Sequence, residues 1–369
     1  MRVEVIQDRT GLEALASEWN PLLAGSRADN VFLTWEFIST WLDVVRPTCD
    51  LYVLVVRDDD GACLGIAPFY RRRLKVARTF SLRCLRVLGD DAAAADYPDL
   101  IIRSDLESEV LEALGRHLAA SPGWDCLWLA RTAGWTGALN RLGQLSAGGG
   151  FHLRCRTRPF SRVHLPDNYE AYLEKLSGKT RYNLRRGRRQ CESLGGCKLR
   201  VCEDPGQVAS FVGELVRLHQ KHWEAAGDAG AFRRNPCLRT FFEEVAGRFL
   251  RCGWLRLAGL EVDGRIRAVQ FGYAYHGVYS AIQEGYDPDL TEVTCGVGNV
   301  ARAATIEATI AEGLGVYDFL DGATWHKQRW GADLLEGYDI FIHRRSLRTL
   351  PLRVGEIWPT GRFMTWDGQ

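Results

Sequence analysis

The sequence predicts an α/β protein with mixed sheets, arranged as two units in tandem. Three observations predict it. The chain has 369 residues, more than one ordinary core accommodates. Helical and strand periodicities alternate along its length. Two stretches, LYVLVVRDDDGACLGIAPFY and LRLAGLEVDGRIRAVQFGYA, share one pattern of strand, Asp-Gly turn and strand, each after two helical segments. Their turns fall at Asp60-Gly61 and Asp263-Gly264, and the matched order points to a duplicated domain. The expected boundaries are 1–158, 159–350 and a C-terminal tail, 351–369.

In the first unit, residues 2–7 alternate as a strand, and 12–24 and 34–45 carry apolar residues at helical spacing. Residues 51–57 and 63–73 form the first hairpin. Pro68 cannot donate to a ladder, which predicts an edge or a bulge there. Residues 82–88 read as a strand, 106–120 as a helix and 126–131 as a strand. Gly148-Gly149-Gly150 marks a loop at the unit's end. In the second unit, 160–164 is a strand, and 169–176 and 179–194 are helices, the latter stopped by Gly195-Gly196. A strand at 198–202 and helices at 207–226 and 239–252 follow. Residues 254–262, 265–276 and 278–286 make an antiparallel meander. A loop at 287–295 leads to a helix over 299–312, and strands follow at 316–320 and 338–343.

Composition excludes several classes. Net charge is +1, so no bulk field draws nucleic acid or membrane. Arg2, Glu4, Asp8 and Arg9 interrupt the N-terminus, which excludes a signal-peptide core. No apolar run reaches the ~20 residues of a membrane span, and a cytoplasmic protein is expected. The eleven cysteines include no CxxC pair. Cys191, Cys197 and Cys202, followed by His219 and His222, do not match zinc-ligand spacing, so no metal is expected.

The chemistry points to residues 293–301, VTCGVGNVA, between a meander strand and a helix. Glycines let the backbone approach an anion, and the first N–H groups of the helix point at it. Cys295, Gly296, Val297, Gly298 and Asn299 are therefore the candidate cofactor-binding residues. A rival exists: Gly296 to Ala301 fits the dinucleotide fingerprint G-x-G-x-x-G/A, with Asp318 or Asp321 as the ribose acid. The antiparallel meander upstream and the long loop 287–295 argue against it. Lys179, Arg181, Arg185, Arg186, Arg188 and Arg189 form a basic run, with Arg181, Arg185 and Arg189 on one helical stripe. It reads as a solvated face or as a recognition surface for an anionic acceptor, a phospholipid surface or tRNA.

Meander, glycine turn, helix and further strand is the element order of the CoA-binding core of GNAT acyltransferases, and the chain resembles that superfamily. Its phosphate loop reads Q/R-x-x-G-x-G/A; here both glycines match and Val293 replaces the polar residue. LSGKTRYNLRRGRRQCESLGG (176–196), LHQKHWEAAGDAGAF (218–232), EGYDPDL (284–290) and CGVGNVARAATIEATIAEGLGVYDFLDGATWHKQRWG (295–331) are similar to the CelD/BcsL-type acetyltransferases, relatives of the Fem aminoacyltransferases. The resemblance implies two GNAT-like units packed around a shared cleft, the first degenerate. It implies acetyl-CoA or another acyl-CoA as co-substrate and a small-molecule or envelope-polysaccharide acceptor bearing an amine or hydroxyl. On this resemblance Glu284 is the base, His326 the acid in place of the family's Tyr, and Asp321 the partner of His326. His219, Trp223, Tyr286, Lys327, Trp330, Arg181 and Arg185 are expected to contact the acceptor. The alternatives are a Fem-like transferase using aminoacyl-tRNA through 179–189, and a non-catalytic binding protein with this fold.

Overall fold

A computed structural model of the chain describes residues 1–76, 80–90, 95–147, 150–350, 352, 358 and 364–366. The chain divides into two compact units, 1–158 with 336–369, and 159–335. Gly148 and Gly149, and most of the expected tail, lie outside the described residues.

The first unit opens with β1 (Arg2–Ile6) and the helices α1 (Arg9–Glu13), α2 (Ala16–Ala24) and α3 (Trp35–Val44). The sequence merged the first two of these; the chain turns at Ala14 and Leu15 between them. Strands β2 (Asp50–Arg57), β3 (Cys63–Val76), β4 (Phe80–Val87) and β5 (Ile101–Ile102) follow, then α4 (Glu107–Ala120), β6 (Cys126–Ala133) and α5 (Ala138–Ala147). Pro68 lies inside β3 rather than at an edge. It sits where β3 changes partner from β5, at Gly65 and Ile66, to β4, from Phe69 onward. Its carbonyl accepts from Leu88 N, so the missing N–H points where the β4 ladder has ended.

Strand β7 (Phe151–His164) carries the chain into the second unit, beginning nine residues earlier than the apolar pattern suggested. Its first half is too rich in arginine and exposed positions to read as a strand. Helices α6 (Tyr169–Lys175) and α7 (Gly178–Ser193), strand β8 (Cys197–Val201), and helices α8 (Val208–Ala225), α9 (Gly230–Arg234) and α10 (Leu238–Arg251) follow. In α8, Val208, Val212, Leu215, Leu218 and His219 are buried at helical spacing. The meander is β9 (Leu255–Val262), β10 (Arg265–Tyr275) and β11 (Val278–Tyr286). Asp263 and Gly264 both take positive φ, 53° and 67°, as a type I′ hairpin requires. Helix α11 (Val297–Ala311), β12 (Val316–Asp321) and α12 (Trp325–Gln328) complete the unit, and β13 (Asp333–Arg344) and β14 (Met364–Trp366) follow. The sequence carried the second domain to residue 350. The compact units divide at 335/336, because Gly337 to His343 of β13 pair with β6.

The duplication is visible as topology. The first unit's strands run β1-β2-β3-β4-β6-β13, and the second unit's run β8-β9-β10-β11-β12-β7. In both, the first three neighbour pairs are antiparallel, the fourth is parallel after a crossover helix, and the fifth is antiparallel. The closing strands are exchanged along the sequence: β7 follows β6 but pairs with β12, whereas β13 follows β12 but pairs with β6.

Candidate functional site

The second unit contains a defect in its ladder. Strands β11 and β12 pair in parallel only over Val278–Ser280 and Val316–Asp318. Asp318 marks the point of divergence. It is fully buried, paired to Arg162 at 2.8 Å, and its Oδ1 accepts from Leu320 N at 2.8 Å. Leu320 takes φ 62°, a left-handed conformation rare for a branched residue, and the β12–β7 register breaks between Asp318 and Asp321. Beyond this bulge β12 parts from β11, and a cavity of about 700 Å³ opens, lined by Ala281 to Glu284 on one side and Phe319 on the other.

Helix α11 starts at this opening. Gly296 is its N-cap, with φ 82°, and no side chain caps it. Gly296 N donates to Val293 O at 2.7 Å and Asn299 N to Gly296 O at 3.1 Å. A helix start leaves the N–H groups of Val297 and Gly298 without carbonyls of a preceding turn. Helix α7 fixes the turn from behind. Gln190 Oε1 accepts from Thr294 N and Oγ1, both at 3.1 Å. A Cβ on Gly187 would lie 2.3 Å from Cys295 Sγ, so only glycine lets α7 approach this closely. Val293, which replaces the family's polar residue, is buried in the core under the turn.

Glu284 on β11 faces Arg302 of α11, which bonds both carboxylate oxygens, and Gln270 Nε2 donates at 3.0 Å. Burial pushes the Glu284 carboxyl up, but the Arg302 charge and these hydrogen bonds outweigh it and hold it below the usual carboxylate range. Arg302 also lies over the Trp330 ring, 5.2 Å from its centroid. Arg302, Gln270 and Arg329 line the cavity and escaped the sequence reading, as did His222, which that reading names only against a metal site. Arg302 had a signal: it is the one charged residue in the first ten positions of α11, 297–306.

On α8, His222 Nε2 lies 3.1 Å from Tyr286 Oη, and Tyr286 packs on Gly298, where a Cβ would fall 2.9 Å from its ring. His219 is 3% exposed, set edge-on against Phe232 with centroids 5.0 Å apart. Burial, with His222 beside it, brings its pKa down to about 4. At the terminus of α8, Asp287 ties the end of β11 to Lys221 at 2.5 Å and to Arg267 at 2.8 Å.

The structure thus gathers His219, Trp223, Glu284, Tyr286, Cys295, Gly296, Gly298, Asn299, His326 and Lys327 around one cavity. His326 is exposed, its ring against Trp325. Lys327 is tied down, its Nζ donating to the carbonyls of Phe319, Leu320 and Asp321. Five expected residues do not line it. The Val297 side chain enters the core, leaving only its backbone at the turn. Trp330 is fully buried in the core with Tyr172 and Tyr317. Asp321 offers its backbone carbonyl to Lys327. Arg181 and Arg185 belong to the outer face of α7, where Arg181 Nη1 donates to Glu174 O at 3.0 Å and Arg185 pairs with Glu170 at 2.8 Å. The dinucleotide alternative fails on topology: β11, the strand before the glycines, is the end of an antiparallel meander. Among the described residues no cluster suited to a metal ion occurs, and no helix is long and apolar enough to cross a membrane.

Residues 178–328 match the acetyltransferase (GNAT) domain family. No curated protein matches the chain. Among solved structures, the chain is similar to FemX (TM-score 0.62, 12% identity, covering 97% of this chain and 100% of FemX). It is also similar to a conserved protein of unknown function from Bacteroides thetaiotaomicron (TM-score 0.55, 13% identity, 93% and 100% covered). A third likeness is to L-PGS from Bacillus licheniformis (TM-score 0.51, 14% identity, 94% of each chain covered). At these identities the likeness is one of fold. The stretch that matches the acetyltransferase (GNAT) domain family thus lies within the second unit, and the chain shares its fold with FemX.

Proposed function

We propose that the protein transfers an acyl group, such as acetyl, from acyl-CoA to an amine or hydroxyl of a small-molecule or envelope-type acceptor. The observation that carries this reading is the split between β11 and β12 with the uncapped start of α11 beside it. Parted strands leave backbone N–H and C=O groups unpaired, which suits an extended, amide-bearing arm. The free N–H groups of Val297 and Gly298 suit a pyrophosphate at its far end. The cavity lining agrees in charge: Arg302, Lys327 and Arg329 are its cations, and Glu284 is its one carboxylate.

In this reading the acceptor enters beside Trp223 and Tyr286, and Glu284 orients its nucleophile. Held as a carboxylate by Arg302, Glu284 is a weak proton acceptor, so the proton leaves through water. His326, exposed at the cavity mouth, protonates the departing thiolate. The first unit, with the same strand order but no glycine turn before its crossover helix, is a degenerate copy. Thermal stabilisation by acetyl-CoA or longer acyl-CoA tests the reading, since ligand at about 100 times Kd adds about 2.7 kcal/mol. No stabilisation by any acyl-CoA at millimolar concentration would count for the non-catalytic alternative.

One observation favours a second reading, an aminoacyl-tRNA donor. Gly178, Arg181, Tyr182, Arg185, Arg188, Arg189 and Glu192 line a groove on the outer face of α7 in which arginines predominate, although Arg185 and Arg188 are paired with glutamates. Salt-sensitive tRNA binding, lost when Arg181, Arg185 and Arg189 are changed to serine, would support it. Stabilisation by acyl-CoA without tRNA binding would exclude it.

A further inference from the structure

His219 stands apart from the other polar residues of the cavity because one of its ring nitrogens is wasted. Nδ1 is buried and has no hydrogen-bond partner among the described residues. The ring is packed against apolar side chains and backbone: Phe232 lies edge-on, Trp223 is 6.0 Å away between centroids, and Gly230 lies beside Nδ1. A Cβ on Gly230 would come within 3.0 Å of His219 Cε1 and 3.3 Å of Nδ1. Gly230 also takes φ 68°, so glycine is required there both for space and for backbone. The ring is therefore held in one orientation by packing alone.

That cage selects a tautomer. A neutral imidazole has one N–H and one bare nitrogen. An N–H at Nδ1 would be a buried donor without an acceptor, and such orphans are rarer in proteins than unfilled acceptors. The proton is accordingly assigned to Nε2, from the hydrogen-bond pattern. Nε2 is then a donor, and the residue lines the cavity. Its place along the cavity is set by the backbone. Helix α8 rests on β11 at Gly285, where a Cβ would lie 2.7 Å from His219 N, one residue past Glu284 and beyond the point where β11 and β12 part. On the acyl-CoA reading Glu284 marks the reacting end of the arm, so the oxygen that the arm would bring beside His219 is the acyl carbonyl.

We propose that His219 is a neutral hydrogen-bond donor to the acyl carbonyl oxygen, and that its Nε2–H holds the oxyanion of the tetrahedral intermediate. This deepens the acyl-CoA reading and rests on it. The acceptor nitrogen or oxygen attacks the thioester carbon, and the C=O π pair moves onto oxygen, beside Nε2–H. Collapse of the oxyanion re-forms C=O and breaks the C–S bond. The acceptor's proton goes to water and the thiolate takes a proton in turn. His219 exchanges none of these protons. It is a donor throughout, which its depressed basicity favours because the ring does not become imidazolium at neutral pH. A preorganised donor of this kind contributes about 10²–10³ in rate.

The test combines binding with the infrared stretch of a ¹³C-labelled acetyl-CoA carbonyl, in wild type, His219→Leu and His219→Gln. Calorimetry is expected to give similar acetyl-CoA affinity in all three. The bound carbonyl stretch should fall below its free value in wild type, stay at the free value in His219→Leu, and be partly restored in His219→Gln, whose amide N–H can donate. The wild-type stretch should not change between pH 5.5 and 8. Turnover in His219→Leu should drop about 10²-fold or more. Binding with an unchanged stretch and unchanged turnover in His219→Leu overturns the role of His219 and leaves the acyl-CoA reading intact. A stretch that titrates near pH 6.5 overturns the neutral-donor assignment. Failure of the wild type to bind acetyl-CoA removes the reading and the inference together.

Discussion

Replacing His219 with glutamine should flatten the acid limb of the protein's stability curve. An unfolded histidine titrates near 6.5, whereas burial beside His222 holds His219 to about 4 in the folded state. Between those values the unfolded chain binds more protons than the native one, so stability falls as pH falls. The penalty is absent above about pH 7. It grows through the window from 6.5 to 4 and reaches about 3 kcal/mol at pH 4. Glu284 draws the His219 value up and Arg234 pushes it down, and both groups remain in the variant. Urea unfolding of wild type and His219→Gln at half-unit steps from pH 4 to 8 isolates the effect, because the other titrating groups cancel in the difference. The variant should be the less stable protein at pH 7, having lost packing, and should gain about 3 kcal/mol relative to wild type by pH 4. A difference that does not vary with pH would refute the argument: it would mean that His219 is solvated enough in the native state to titrate normally.

Three other outcomes follow from the site. Arg302→Met and Glu284→Gln should each destabilise the protein, while the double variant should lose less than their sum; urea unfolding of the four proteins should give a coupling of about 1–3 kcal/mol. Gly298→Val should weaken acyl-CoA binding at least tenfold with little change in melting temperature, because the new side chain drives the Tyr286 ring across the cavity, and Tyr286→Ala in the same chain should recover part of the affinity by calorimetry. Gly187→Ala should damage the turn from outside the cavity, since its Cβ collides with Cys295 Sγ, and acyl-CoA affinity should fall although residue 187 does not line the site.

The sequence by itself determined the mixed α/β class, the meander and the glycine turn before α11, because these are written in local chemistry. Asp263-Gly264 between two β runs signals a hairpin, and two glycines before an apolar helical run mark a tight backbone approach. It also showed the duplication, since both units repeat the order of helices and strands around an Asp-Gly turn. Tertiary structure alone decided which strand closes which unit. β7 and β13 each pair with a strand that is not their neighbour in sequence, and nothing local distinguishes them. It also decided the fate of individual side chains. Trp330 and His326 are four residues apart, yet one is core and the other lines the cavity, because α12 ends at Gln328 between them. Arg302 and Glu284 meet only because α11 packs back over the meander, a contact that helical periodicity cannot encode. The bare nitrogen of His219 belongs to the same class. A histidine among apolar residues on a helix reads as core or as chemistry with equal ease, and the cage that Phe232 and Gly230 of α9 complete beside Trp223 of α8 is what separates the two.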